Sequence, residues 1–304
     1  MGTELNVRLA RARLAVVGRE RLAIKGGSRP VADVQRVGMC NLSKPATYGL
    51  NDVYDCPDRS RYTKVSNMTG KTFNQSELDF FHREGYLRLS GAHSKRCLKP
   101  LRECILRELS RLKVWAGGKS LGSSLNNLSP FQQIAKLSSM VKIADLDRTL
   151  NTAEIRNAIA DLTGRARQSS QGTQPLLSLP HQGPWSLGSL NWHVDLAATS
   201  GAEIPGIQVF YLIDDVIEHG GATLALARSH RVAGETAGRL RRSLKTPVDL
   251  EAVLSASNTE IIEMSGRAGD VFLMDMRVLH TPSVNSSNRI RMMATTRFGL
   301  RTSR

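Results

Sequence analysis

A chain of 304 residues with 40% hydrophobic and 23% charged side chains is long enough to bury a sizeable core. It has no apolar run approaching the about eighteen residues a membrane helix needs, and its amino terminus lacks the apolar centre of a secretory signal. The net charge of +15 fits either an anionic partner or plain solubility; a nucleic-acid partner is not favoured, because no basic or stacked-aromatic repeat is present.

Residues 1–30 place Arg8, Arg11, Arg13, Arg19 and Arg21 among Leu, Ala and Val, as a basic arm or covering flap would; Glu4 and Glu20 argue against a mitochondrial targeting helix. From Gly26 to Gly70, Gly, Pro, Asn, Ser and Asp recur at short intervals and mark loops. Residues 1–73 are therefore expected as a basic, loop-rich extension. The four cysteines, Cys40, Cys56, Cys97 and Cys104, show no metal-type spacing and are expected as reduced thiols in a cytoplasmic protein.

A capped helix is expected from Asn74 or Ser76 to Gly85, followed by an alternating strand at Tyr86–Leu89. A second helix runs from Ser94 to Lys113 on the spacing of Cys97, Leu101, Cys104, Ile105, Glu108 and Leu112. Helical stretches follow at Pro130–Ser139 and Asp147–Thr163. From about Pro175 onward the pattern turns to short strands: Leu176–Leu179, Ile207–Ile213, Thr223–Ala227, Thr259–Glu263, Asp270–Asp275 and Met292–Phe298. Arg231–Asn258 reads as a helical or loop insertion. Many short strands without strand–helix alternation predict a mainly β fold with added helices and a double-sheet jelly roll at its core.

The chemistry concentrates between Asn191 and Arg291. In extended backbone, side chains two apart point the same way, so His193 and Asp195 share a face. If a second strand brings His280 beside them, two neutral imidazoles and one carboxylate occupy one face of an octahedral ion and leave three positions open. Non-haem Fe(II) oxygenases use that arrangement. Arg291 follows His280 by eleven residues, and its planar fork of donors matches a carboxylate. Arg289 competes with it, since alternation alone puts both on one side. Arg277 has three possible destinations: Asp275, Asp270 or the cavity. His181 is a candidate substrate contact.

These residues carry a family resemblance. Trp192-His193-Val194-Asp195, Gln208 through Asp215, Gly220-Gly221-Ala222-Thr223-Leu224, Arg228-Ser229-His230-Arg231, Gly269-Asp270, and Asn285 with Arg291 resemble the core of the phytanoyl-CoA dioxygenase-like Fe(II)/2-oxoglutarate oxygenases. Upstream, Leu78 to Leu87 resembles the opening helix and strand of such domains. Ala227-Arg228 departs from the family's Pro-Gly before Ser-His. The resemblance implies a double-stranded β-helix (cupin-like) domain over residues 74–304, with Fe(II) held by His193, Asp195 and His280. It further implies 2-oxoglutarate held by Arg291, with Gln208 and Tyr211 at positions that contact it, and dioxygen as the other cosubstrate; His230 falls where it implies a structural histidine bonded to backbone. The expected reaction is hydroxylation of an unactivated C–H bond in a small anionic metabolite, with release of succinate and carbon dioxide; Asp195 disfavours halogenation, which needs a site for a halide. Two alternatives stand beside it: a nucleic-acid demethylase of the same superfamily, and a non-catalytic metal-binding jelly roll.

Overall fold

The computed structural model describes residues 72–121, 124–165, 168–188, 190–196, 203–245 and 250–300. The expected basic extension, apart from its last two residues, lies outside the described residues. Of those two, Phe73 is buried in the core.

The chain opens with α1 (Gln75–Glu84), whose Asn74 side chain accepts from the Glu77 amide while the Glu77 carboxylate accepts from the Asn74 amide. This reciprocal cap satisfies two helix-end donors. Gly85 ends it at φ +83°, and a Cβ there would stand 2.5 Å from Nδ1 of His230. That contact presses the helix end against the loop that follows β6 (Thr223–Ala227). Next come β1 (Tyr86–Leu89), α2 (Lys95–Arg111), the small hairpin β2 (Trp115–Ala116) and β3 (Lys119–Ser120), and α3 (Pro130–Met140). The helix expected at Asp147–Thr163 is two, α4 (Leu146–Leu150) and α5 (Ala153–Thr163). Thr152 starts the second by accepting from the Ile155 amide, because a hydroxyl at that position competes for the backbone and favours a cap over a helix interior.

The remaining elements are β4 (Gln168–Ser178), β5 (Gly206–Leu212), β6, α6 (Gly234–Lys245), α7 (Leu250–Ala256), β7 (Glu260–Glu263), β8 (Val271–Asp275), β9 (His280–Pro282) and β10 (Arg291–Leu300). Antiparallel pairing makes a five-stranded sheet in the order β1-β8-β5-β10-β4 and a three-stranded sheet β7-β6-β9. This is the jelly roll, a double-stranded β-helix. β4 begins well before the expected Leu176, since its polar Ser-Gln-Gly segment hides the pattern. Among the described residues it is an edge strand bonded only to β10, the position in a sheet where a proline such as Pro175 is tolerated.

Side-chain alternation sorts the large sheet into two faces. Phe210, Leu212, Phe272, Met274 and Met293 point between the sheets, against Ala222, Ala225 and Met264. Their neighbours Ile207, Val209, Tyr211, Leu273, Met292 and Phe298 point outward into a helical layer that includes Leu101, Ile105, Leu109, Ile155 and Ile159. Each such side chain contributes roughly 1.5–3 kcal/mol on burial. The outer face of the small sheet is covered by α6 and α7 through Leu240, Leu244 and Leu250.

Cys97 is disulfide-bonded, contrary to the expected free thiol, whereas Cys104 is free. The cytoplasmic expectation rests on unpaired thiols, so that bond removes part of its ground. Among the described residues no helix is long and apolar enough to cross a membrane.

Candidate metal centre

The segment 190–196 follows β4 in the chain and makes a β-bridge with the small sheet, His193 to His280. The two residues exchange both backbone bonds, at 3.0 and 2.9 Å, which brings their rings to 4.3 Å between centroids. Two residues on, the Asp195 amide donates to the Met276 carbonyl at 3.1 Å. His280 opens β9 opposite Ala225, whose small side chain leaves space between the sheets. One donor atom from each of His193, Asp195 and His280 lies within 4.8 Å of the others.

Both rings are oriented for ligation. Nδ1 of His193 donates to the Asn191 carbonyl at 2.9 Å, and Nδ1 of His280 to the Val278 carbonyl at 3.1 Å. A carbonyl can only accept, so each Nδ1 carries a proton and Nε2 is the ring atom left to ligate. Burial, and next the neighbouring His193, pull the His280 imidazole down to about 4, which keeps it neutral near pH 7. The carboxylate oxygen Oδ2 of Asp195 stands 3.9 Å from Nε2 of His280. Two imidazoles and one carboxylate are a donor set that suits Fe(II) and would leave positions open for other ligands.

Arg291 starts β10 and is 2% exposed. Its Nη1 donates to the Gly221 carbonyl at 2.5 Å, while Nε and Nη2 have no partner among the described residues. Burial alone lowers this guanidinium to about 9. A buried cation with two idle donors is costly unless a carboxylate completes it. Gly221 makes the contact possible: it sits at φ +80°, and a Cβ there would come within 2.8 Å of Asn285. Arg289, the rival, is exposed in the bend before β10, where strand alternation does not apply.

Gln208 faces the space between the sheets, directly across from Arg297 on β10, with Oε1 unpaired. Tyr211, three residues on, faces the opposite side. Its hydroxyl donates to Asn151 in the helical layer, so the sequence-level assignment of Tyr211 as a cosubstrate contact is corrected: an odd offset along a strand puts the two residues on different faces. His181 is exposed, with its amide bonded to the Ser287 carbonyl. Arg277 pairs with Asp275 at 2.7 Å, and Asp270 instead takes Arg88 and the Gly91 and Arg267 amides. His230 bonds the His82 carbonyl at 3.2 Å, the structural role expected of it.

Two residues escaped the sequence reading. Arg297 grips Asp195 with Nε on Oδ2 at 2.8 Å and Nη2 on Oδ1 at 3.0 Å; its even offset from Arg291 on one strand was the available signal. Phe131 of α3 stands edge-on to the His193 ring at 6.5 Å and is 43% exposed, an apolar lip that nothing in its local sequence announced. A cavity of about 550 Å³ lined by Arg83, His230, Arg231 and Arg277 includes none of the three metal-type ligands. It adjoins a smaller one touched by Val194, whose side chain points away from theirs.

A jelly roll with two imidazoles and a carboxylate between its sheets defines the class of non-haem Fe(II), 2-oxoglutarate-dependent oxygenases. The chain belongs to the phytanoyl-CoA dioxygenase family, whose model matches residues 81–293. Members are enzymes that work with iron and 2-oxoglutarate. Among solved structures, the chain is similar to the non-heme alpha-ketoglutarate-dependent carbocyclase SnoK from nogalamycin biosynthesis, at 17% identity over 76% of this chain and 86% of that one (TM-score 0.49). It is also similar to EctD from S. alaskensis with 2-oxoglutarate and 5-hydroxyectoine, at 16% identity over 79% of each chain (TM-score 0.49). No curated protein matches it.

Proposed function

We propose that residues 74–304 form a hydroxylating oxygenase domain in which His193, Asp195 and His280 are the iron ligands and Arg291 holds the distal carboxylate of 2-oxoglutarate. The observation that carries the reading is the pairing of two features inside one jelly roll: three donor atoms within 4.8 Å of one another, and a buried guanidinium with two idle donors. A dicarboxylate supplies the charge that Arg291 lacks, and its other end reaches the open face beside the three ligands. Bound iron, with 2-oxoglutarate and dioxygen, supplies the oxidising power for a C–H bond, releasing succinate and carbon dioxide.

The protein's own work is orientation and exclusion of water. The Asn191 and Val278 carbonyls fix the imidazole tautomers, and the inner-face residues Phe210, Phe272 and Met293 keep the cavity dry. Gln208 offers an amide to the cosubstrate from the same face. The substrate is a small metabolite entering past Phe131, and the chain's net charge of +15 supports an anionic one.

The test is succinate release in the presence of Fe(II) and 2-oxoglutarate across a panel of small carboxylates, phosphates and thioesters. His193→Ala and Arg291→Ala should each abolish the release the parent shows. Equal release from the variants, or none from the parent with any compound while Fe(II) and 2-oxoglutarate leave its melting temperature unmoved, would sink the reading in favour of a non-catalytic jelly roll.

A further inference from the structure

We infer that Arg297 is a positioning residue of this metal centre: its two-point grip on Asp195 decides which carboxylate oxygen faces the imidazoles. The inference rests on the ligand set proposed above and goes beyond it.

The two partners are held very differently. Arg297 belongs to β10, and its register opposite Gln208 of β5 aims the side chain between the sheets; on the β4 side the register shifts between Thr296 and Phe298. Asp195 lies outside any strand; backbone bonds to the Met276 carbonyl, at 3.1 Å from its own amide and 3.2 Å from that of Leu196, hold the segment. A carboxylate on such a segment can turn about its side-chain torsions and can offer an ion one oxygen or two. The guanidinium is therefore the fixed member and the carboxylate the one placed.

The geometry also says how it is placed. Each carboxylate oxygen has two lone pairs, and the fork takes one from each, at 2.8 and 3.0 Å. The oxygen nearer the imidazole is Oδ2, 3.9 Å from Nε2 of His280, and it keeps a second lone pair on that side. An ion held there would receive a single oxygen from Asp195. That leaves room for a chelating cosubstrate and dioxygen, which a carboxylate bound through both oxygens would reduce. The Asp195 side chain is 9% exposed and that of Arg297 28%, so the pair is shielded enough for the geometry to persist. A rival account makes the pair a plain neutralisation of a buried acid, of value to the fold and indifferent to metal.

Cobalt(II) chloride titrated into the full chain without cosubstrate separates the two, because the intensity of the cobalt absorption bands reports coordination geometry. Arg297→Lys keeps the charge and loses the fork. It should weaken Co(II) binding on the order of 10-fold and alter the bands, and Arg297→Ala should weaken it by up to about 100-fold. Added methylguanidinium should restore much of the Ala variant's affinity, whereas methylammonium should not. If the Ala variant does not fold, the Lys variant decides. Binding by the Arg297 variants within about threefold of the parent, with unchanged bands, overturns the inference even if they melt at lower temperature. His280→Ala is the control on the centre itself: if it binds Co(II) as the parent does, or the parent binds none, the ligand set fails and this inference with it.

Discussion

The two ends of the cavity treat positive charge in opposite ways. At the metal end, Arg297 is matched by Asp195 within the protein. At the other end, six residues back on the same face of the same strand, Arg291 has among the described residues a backbone carbonyl and nothing more. One guanidinium is paired by folding, and the other keeps two donors without a partner among the described residues. On the function proposed above, that end gives up stability to gain affinity for an anion.

The contrast can be broken most severely at the metal end. His280→Ala removes one of three donors and should abolish specific Co(II) or Mn(II) binding, read by titration. At the other end, Arg291→Met should cost on the order of 100-fold or more in 2-oxoglutarate affinity, yet raise the melting temperature of the ligand-free protein, since an uncompensated buried cation is exchanged for an apolar chain. A lower melting temperature for that variant would show that Arg291 is already satisfied by the fold. In the parent, 2-oxoglutarate with metal at 100 times its dissociation constant should add about 2.7 kcal/mol of stability, an increment the Met variant should lack.

Smaller effects sharpen the distinction between inside and outside. Tyr211→Phe should lose about 1–2 kcal/mol through the idled Asn151 and leave cosubstrate affinity unchanged, as its outward direction requires. Glu263, on the small sheet, gives a pH effect. Desolvation raises its carboxyl to about 7, whereas the unfolded chain titrates near the ordinary glutamate value of 4.5. A raised acid contributes stability that is complete below the unfolded value and lost as pH climbs through the folded one. The parent should therefore weaken between about pH 4.5 and 7 relative to Glu263→Gln, by on the order of 1–2 kcal/mol, measured as the difference in melting temperature across that range.

How much was legible in the sequence follows from how local each signal is. His193 and Asp195 are two apart, so strand geometry pairs them without help, and the helix at Gln75–Glu84 is written in its own Asn, Glu and Gly. The facing of Gln208 and Tyr211 was equally available, because their odd separation forbids a common side. The Arg297–Asp195 grip spans 102 residues and depends on which strand lies opposite the metal segment, which no window of sequence contains. Alternation could not separate Arg289 from Arg291 for a related reason: Arg289 lies before the strand begins, where it is exposed. The polar start of β4 has no apolar period, and only its pairing with β10 makes it a strand.

β10 carries both guanidiniums, Arg291 and Arg297, on a ten-residue strand. Adding or removing one residue between them would turn one of the two out among the helices while the other stayed in place. Insertions ought therefore to be barred from this stretch and tolerated in the bend that precedes it, a pattern that a deep insertion scan scored for folding and 2-oxoglutarate binding would display as a silent gap in the permissive map.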